Sequence, residues 1–157
     1  GASLVEQKYS PYYTWANGMR LLMEESHRNG AALSGKDIWR IDRIGAYAAR
    51  HAAKNAVAAG LCRQCEVALS YTVGQSAPMG LAVDTFGTGE IDDDQLADRL
   101  RETMDFRVGG ILKSLTLGHA VAASGGNFFR RLAAYGQVGR ADLDLPWEDT
   151  GSCRKLA

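Results

Sequence analysis

The amino-acid sequence predicts an α+β fold, a layer of helices on a small mixed sheet. Three observations predict it. Ile41, Ile44, Ala48, Ala52, Ala56 and Ala59 recur at helical spacing along one stripe. Val67, Leu69, Tyr71 and Val73 alternate with Ala68, Ser70 and Thr72, the two-residue period of a half-buried strand. Leu96, Leu100 and Met104 then repeat every four residues, so helical periodicity returns after the strand region. The expected order is helix, helix, strand, strand, helix, helix and an irregular end. Two strands make a weak sheet, and segments read as loop, or another chain, are where further strands could come from.

Each element has a local reason. Residues 1–13 hold Tyr9, Pro11, Tyr12 and Tyr13 without periodicity, which predicts an irregular aromatic arm. Thr14 is placed to cap a helix carrying Trp15, Met19, Leu22 and Met23 and ending near Arg28. Gly18 weakens that helix, and Asn29-Gly30 stops it. Residues 30–40 begin with small side chains and end with charges, a loop that brings backbone close to something. The helix over 41–59 is the clearest, with Gly60 as its C′ residue. Its stripe is mostly alanine, which lets it lie close to a sheet or another helix.

The first strand is expected from Glu66 to Gly74, and the second from Met79 to Phe86 with Leu81 and Val83 on one face. Gly74 to Pro78 joins them as a hairpin or a short crossover. Asp92 caps the next helix, whose first turn also holds Asp93 and Asp94, acids suited to the positive end of the helix dipole. Calcium is excluded there, because its ligands would alternate around a glycine turn. Asp105 to Leu115 reads as a further short helix, 118–127 as a Gly/Ala/Ser loop, and Phe128 to Tyr135 as a last short helix. From Gln137 to Ala157 the chain is polar and is expected to wrap the surface, with Trp147 after Pro146 as one aromatic anchor.

Composition narrows the function classes. The chain has 157 residues, 46% hydrophobic and 23% charged, which fits one globular domain with an added arm. Eighteen Lys and Arg balance eighteen Asp and Glu, which argues against a nucleic-acid binder working by phosphate neutralisation. No apolar run approaches the ~20 residues of a membrane helix, and no basic region followed by an apolar stretch marks a signal peptide, so a cytoplasmic protein without membrane partners is expected. Three cysteines, Cys62, Cys65 and Cys153, do not make a complete disulfide framework. Cys62-Arg63-Gln64-Cys65 is read as two cysteines in a loop, with half a zinc site or a redox pair as the alternatives.

Ser34-Gly35-Lys36-Asp37 is the stretch richest in chemical meaning. A Gly-Lys pair in a small-residue loop before a helix resembles a phosphate cradle. It is not a P-loop, because Asp37 stands where the magnesium-binding hydroxyl belongs and the preceding segment reads as a helix. On pattern alone a solvated loop is the commoner reading. Lys36, Arg40 and Arg43 gather near the start of one helix with Asp37 and Asp42 beside them. Cations there oppose the helix dipole, and a local anion would relieve them; interleaved surface charge is the plain alternative. His27, His51 and His119 share no metal-ligand spacing, and His51 is placed on the exposed side of its helix.

A further series of segments runs through Ala32-Leu33-Ser34-Gly35-Lys36-Asp37, Ile41-Asp42-Arg43, Ala46-Tyr47-Ala48-Ala49-Arg50 and Ala53-Lys54-Asn55. It continues in Gly60-Leu61-Cys62, Ser70-Tyr71, Val83-Asp84-Thr85-Phe86-Gly87-Thr88-Gly89, Ala133-Ala134-Tyr135-Gly136 and Leu145-Pro146-Trp147-Glu148. Taken in order, these segments resemble the S-adenosylmethionine synthetase (methionine adenosyltransferase) family. The resemblance covers residues 30–149 and the C-terminal part of the family only, which divides the chain into an arm and helix at 1–29, the synthetase-like domain at 30–149 and a tail at 150–157.

The resemblance implies a fold like one of the family's similar α/β domains and a chemistry in which the sulfur of methionine attacks C5′ of ATP. Triphosphate leaves and is hydrolysed, with Mg2+ and K+ assisting. By position, Lys36 matches a lysine that contacts the ATP phosphates, and Ala32 falls in the same pocket. Arg40, in place of a lysine, and Asp42 fall in the methionine region. The family's His-Pro-Asp motif and its Gly-Leu-Thr-Gly-Arg-Lys stretch do not occur in this sequence. Gly30-Ala31-Ala32 replaces a glycine triplet, Gln137 replaces a histidine, and Ala122 to Arg131 contains extra residues. No catalytic residue and no metal ligand is therefore assigned within the chain.

Three functions follow as expectations. One is part of a synthetase making S-adenosylmethionine from ATP and methionine, completed by another chain or by an N-terminal part, as a homo-oligomer or with a complementary synthetase-like chain. Another is a non-catalytic binding or regulatory module derived from that family. The last is a small enzyme acting on S-adenosylmethionine or a nucleotide.

Overall fold

The structure, a computed structural model, describes Leu33, residues 35–72 and residues 74–157. The expectations for the arm, for Thr14 and the helix over Trp15–Arg28, for Ala32, for Ser34 and for Val73 lie outside the described residues. Helix α1 (Ile41–Ala58) leads into the hairpin of β1 (Glu66–Ser70) and β2 (Gly80–Asp84). Helices α2 (Asp93–Thr103), α3 (Val108–Ser114), α4 (Leu117–Ala123) and α5 (Phe128–Ala133) follow. A 3-10 turn at Pro146–Glu148 and α6 (Cys153–Leu156) close the order. This is the expected α+β class, helices over a small sheet.

The sheet, as described, has two strands paired antiparallel, with Val67 opposite Val83 and Leu69 opposite Leu81. Gly74 to Pro78 thus belongs to a hairpin rather than a crossover. Val67, Leu69 and Leu81 are buried on the inner face, where α1 packs on β1 and α2 on β2. Alternation along the strands sets that register, since a slip of one residue would turn the apolar set outward. Both strands are shorter than the alternation predicts. The Met79 N–H donates to Ser70 O at 2.7 Å as the hairpin closes. At the other end Phe86, at φ +55°, turns the chain out of the sheet direction.

Helix α1 departs from its expected one-sided burial. Every residue from Arg43 to Ala53 is buried, because α1 packs against β1, α3, the 3-10 turn and α6. Its alanines let these neighbours approach from several sides. His51 is consequently buried, not exposed as expected. The helix ends at Ala58, and Gly60 follows at φ +75°, the left-handed C′ position expected of it.

Three further differences have local causes. Asp92 occupies the N-cap of α2 but makes no capping hydrogen bond; instead the Asp93 carboxylate accepts from Thr85 Oγ1 at 2.5 Å and ties the helix to the end of the hairpin. The helix expected from Asp105 begins only at Val108, because the Asp105 carboxylate accepts the Arg107 N–H at 3.0 Å and forms a turn there. Part of the stretch expected as a Gly/Ala/Ser loop is helix α4, Leu117–Ala123. Alanine is the strongest helix former, and buried Leu117 anchors this short element. In the C-terminal stretch Trp147 is fully buried, as an anchor should be, but Leu145 and Leu156 are buried beside it in the core.

Candidate functional site

The loop before α1 positions the sequence-predicted cations. Gly35 takes φ +81°, which a side chain rarely adopts. Asp37 Oδ1 accepts the Trp39 N–H at 2.8 Å, and the Arg40 N–H reaches Asp37 O at 3.4 Å. This tight course brings Lys36 and Arg40 to the first turn of α1, where Asp42 sits. Lys36 Nζ lies 3.9 Å and Arg40 Nη2 3.7 Å from Asp42 Oδ2. The Lys36 and Asp42 side chains are mostly buried, at 18% and 19% exposure, whereas Arg40 reaches solvent at 63%.

The structure thus gathers Lys36, Arg40 and Asp42 at one place; Ala32 lies outside the described residues. Both contacts are too long for hydrogen bonds, so the ion pairing is loose. Lys36 and Arg40 both approach the Asp42 carboxylate beside the positive end of an 18-residue helix. That combination favours an anion.

Arg43 does not join them. It is buried at 1% exposure, with its guanidinium 4.0 Å from the centre of the Phe129 ring. Its Nη1 donates to Tyr47 Oη at 2.8 Å, and its Nε has no hydrogen-bond partner among the described residues. Tyr47 Oη donates in turn to Gln137 Oε1 at 2.6 Å. Trp147 stacks on Tyr47 at 3.6 Å and 4° between planes, and its Nε1–H donates to Gln137 O at 2.8 Å. Burial pushes the Tyr47 phenol up to about 12 against the pull of Arg43, so it stays protonated and able to donate. The third cation of the helix start is part of a buried strut.

A second charged group was not singled out from sequence. Arg50 grips Glu148 with two hydrogen bonds, Nε to Oε1 at 3.0 Å and Nη2 to Oε2 at 2.8 Å. Lys54 Nζ adds 2.7 Å to Oε2, and the Gly139 N–H 2.8 Å to Oε1. Burial alone would raise the Glu148 carboxyl, but Arg50, Lys54 and the Gly139 amide outweigh it and hold it at about 2. These groups line a cleft of about 670 Å³ with Ser114, Arg140 and Asp144. Arg50 and Lys54 sit four apart on α1, the one signal the sequence offered. Glu148 lies 98 residues beyond Arg50. Its carboxylate already takes both cations, so this cluster braces α1 against the 3-10 turn rather than presenting charge to a ligand.

The donor set does not fit a resident metal ion. Asp42 is a single carboxylate held between two cations. Among the described residues no group of three His, Cys, Asp or Glu could hold a metal. His51 is buried beside Asn55, and burial pushes its imidazole below the usual value. Also among the described residues, no helix is long and apolar enough to cross a membrane.

The sequence model of the family described as "S-adenosylmethionine synthetase, C-terminal domain" matches residues 22–149. An S-adenosylmethionine synthase of Crocosphaera subtropica is 49% identical over 131 residues, 83% of this chain and 32% of that protein. One from Synechocystis is 49% identical over 125 residues, 80% of this chain and 29% of that protein. Among solved structures, an unusual S-adenosylmethionine synthetase from Campylobacter jejuni superposes with a TM-score of 0.70 at 37% identity, over 80% of this chain and 32% of that one. The chain spans about a third of the length of the relatives it matches.

Proposed function

Since the chain belongs to the S-adenosylmethionine synthetase family through its C-terminal domain, we propose that it is the part of a cytoplasmic methionine adenosyltransferase that supplies Lys36 to the ATP phosphates and Arg40 to the methionine side of the same site. The observation that carries this reading is the convergence of Lys36 and Arg40 on Asp42 at the N-terminus of α1. In it Lys36 holds the phosphates of ATP, and Ala32 lies in the same pocket. Arg40 and Asp42 face the methionine side, where Asp42 also keeps the two cations in place. The chemistry needs such a group, because negative charge grows on triphosphate as its bond to C5′ breaks, and fixed cations stabilise that charge without reorganising.

The remaining parts of the site belong to another chain or to an N-terminal part, in a homo-oligomer or with a complementary synthetase-like chain. So do the ligands for Mg2+ and K+, since the described donors do not form a metal site. The reading predicts that the chain binds ATP, with magnesium, in isothermal titration calorimetry, alongside titrations with methionine and with S-adenosylmethionine. Lys36→Ala removes a charge-assisted hydrogen bond worth about 1.5–3 kcal/mol, so ATP affinity should fall at least about tenfold. No heat with any of the three ligands, or equal affinity for ATP in the variant, would overturn the assignment.

A further inference from the structure

A second cleft shares no residue with the Lys36, Arg40 and Asp42 cluster. It lies where α1, α3 and α6 meet the segment that follows α2. It encloses about 220 Å³, room for one six-membered ring, since a cavity of about 150 Å³ holds benzene. Its apolar walls are Ala48, Phe106, Ile111 and Leu115, all buried. The Phe106 side is held in place, because Tyr71 Oη donates to Phe106 O at 2.8 Å. Asp105 and Lys155, also in the lining, are exposed, so the cleft reaches solvent there. Arg107 Nε and Nη2 engage the Asp105 carboxylate at 2.9 and 2.6 Å.

His51 is the buried polar side chain of this lining, at 9% exposure. Burial pushes its imidazole below the usual value, so near pH 7 it is neutral, with one N–H and one accepting nitrogen. Asn55 Nδ2 lies 3.4 Å from both ring nitrogens, beyond the ordinary range of such a bond. Its two hydrogens go instead to His51 O at 2.8 Å and Asp149 O at 2.9 Å. The accepting nitrogen is thus a buried acceptor that Asn55 does not satisfy, and an unmet buried acceptor is costly.

We propose that this cleft binds a small neutral aromatic alcohol of phenol size, its ring against Phe106, Ile111 and Leu115 and its hydroxyl donating to the His51 imidazole. The apolar walls ask for a ring, and the imidazole asks for a donor. A hydrocarbon ring of the same size leaves the nitrogen unmet. A carboxylate would give up its hydration for apolar walls and an uncharged imidazole, at high cost. Lys155 and Asp105 at the mouth have opposite charges and favour neither sign.

The test titrates phenol, benzene and sodium benzoate into the isotope-labelled full chain. It follows the methyl resonances of Ala48, Ile111 and Leu115 and the ring nitrogens of His51. Phenol should shift these resonances saturably and bind about two- to tenfold tighter than benzene, the worth of one net hydrogen bond. Benzoate should bind most weakly. His51→Phe keeps a buried ring and removes the acceptor, so phenol should lose its advantage over benzene. If that variant does not fold, the comparison of phenol with benzene on the parent chain decides alone. The proposal is overturned if phenol leaves the three methyl resonances unshifted, or if benzene or benzoate binds as tightly as phenol. It is equally overturned if folded His51→Phe keeps the preference for phenol.

Discussion

Lys36 and Glu148 show how environment decides what one charge does. Lys36 stands 3.9 Å from Asp42, farther than a hydrogen bond reaches. Glu148 is gripped at 2.7–3.0 Å by Arg50, Lys54 and a backbone amide, which commits all three to structure. The consequence is a pH dependence of stability. The Glu148 carboxyl moves from an ordinary 4.5 to about 2 on folding. A lowered carboxyl stabilises the folded chain fully above the higher value, and that contribution is lost as pH falls from about 4.5 to about 2. With only 13% of the side chain exposed, it amounts to something on the order of 3 kcal/mol. Urea unfolding at about pH 6 and about pH 3 should show Glu148→Gln less stable than the parent at the higher pH and much closer to it at the lower. A constant gap between the two proteins would remove Glu148 as the cause.

At the scale of the element, α1 is where sequence and structure can be compared in detail. Its span was legible because Ile41, Ile44 and the alanines keep a helical period up to Gly60. Its surroundings were not. Arg43, Arg50 and His51 carry the residue types of a solvent face, yet Phe129, Glu148 and the 3-10 turn cover them from about 80 to 100 residues further on, beyond any local period. Helix α4 was hidden differently, since Gly118, Ala120, Ala122 and Ala123 read equally as a small-residue loop or as helix formers. The cluster of Lys36, Arg40 and Asp42 was visible, because loop and first helical turn adjoin in sequence and leave those groups little room to part. Gly60 gives the element a direct test. At φ +75° with open space around an added Cβ, Gly60→Ala meets no clash and suffers only the left-handed backbone, a loss of about 1–2 kcal/mol in denaturant unfolding. A neutral or stabilising result would mean that α1 does not end in this conformation.

At the scale of the molecule, Trp147 joins the C-terminal stretch to the core. It is fully buried, stacks on Tyr47 of α1 and meets Phe128 of α5 edge-on at 6.0 Å. Trp147→Ala should cost about 3–5 kcal/mol in denaturant unfolding, and a loss below about 1 kcal/mol would show that the stretch contributes little to the fold. The strut it completes, from Trp147 through Tyr47 to Arg43, ends one residue after Asp42. The C-terminal segment thereby helps fix the position of the first turn of α1, and with it the groups proposed to meet ATP and methionine.

That role for α1 can be tested by calorimetric titration of inorganic triphosphate into the parent chain, Lys36→Ala and Lys54→Ala. Both variants lose one lysine charge, but only one lysine stands at the proposed site. The account predicts that Lys36→Ala weakens triphosphate at least about tenfold while Lys54→Ala binds within about twofold of the parent. Equal loss in both variants, or a larger loss in Lys54→Ala, would contradict a triphosphate site at the start of α1.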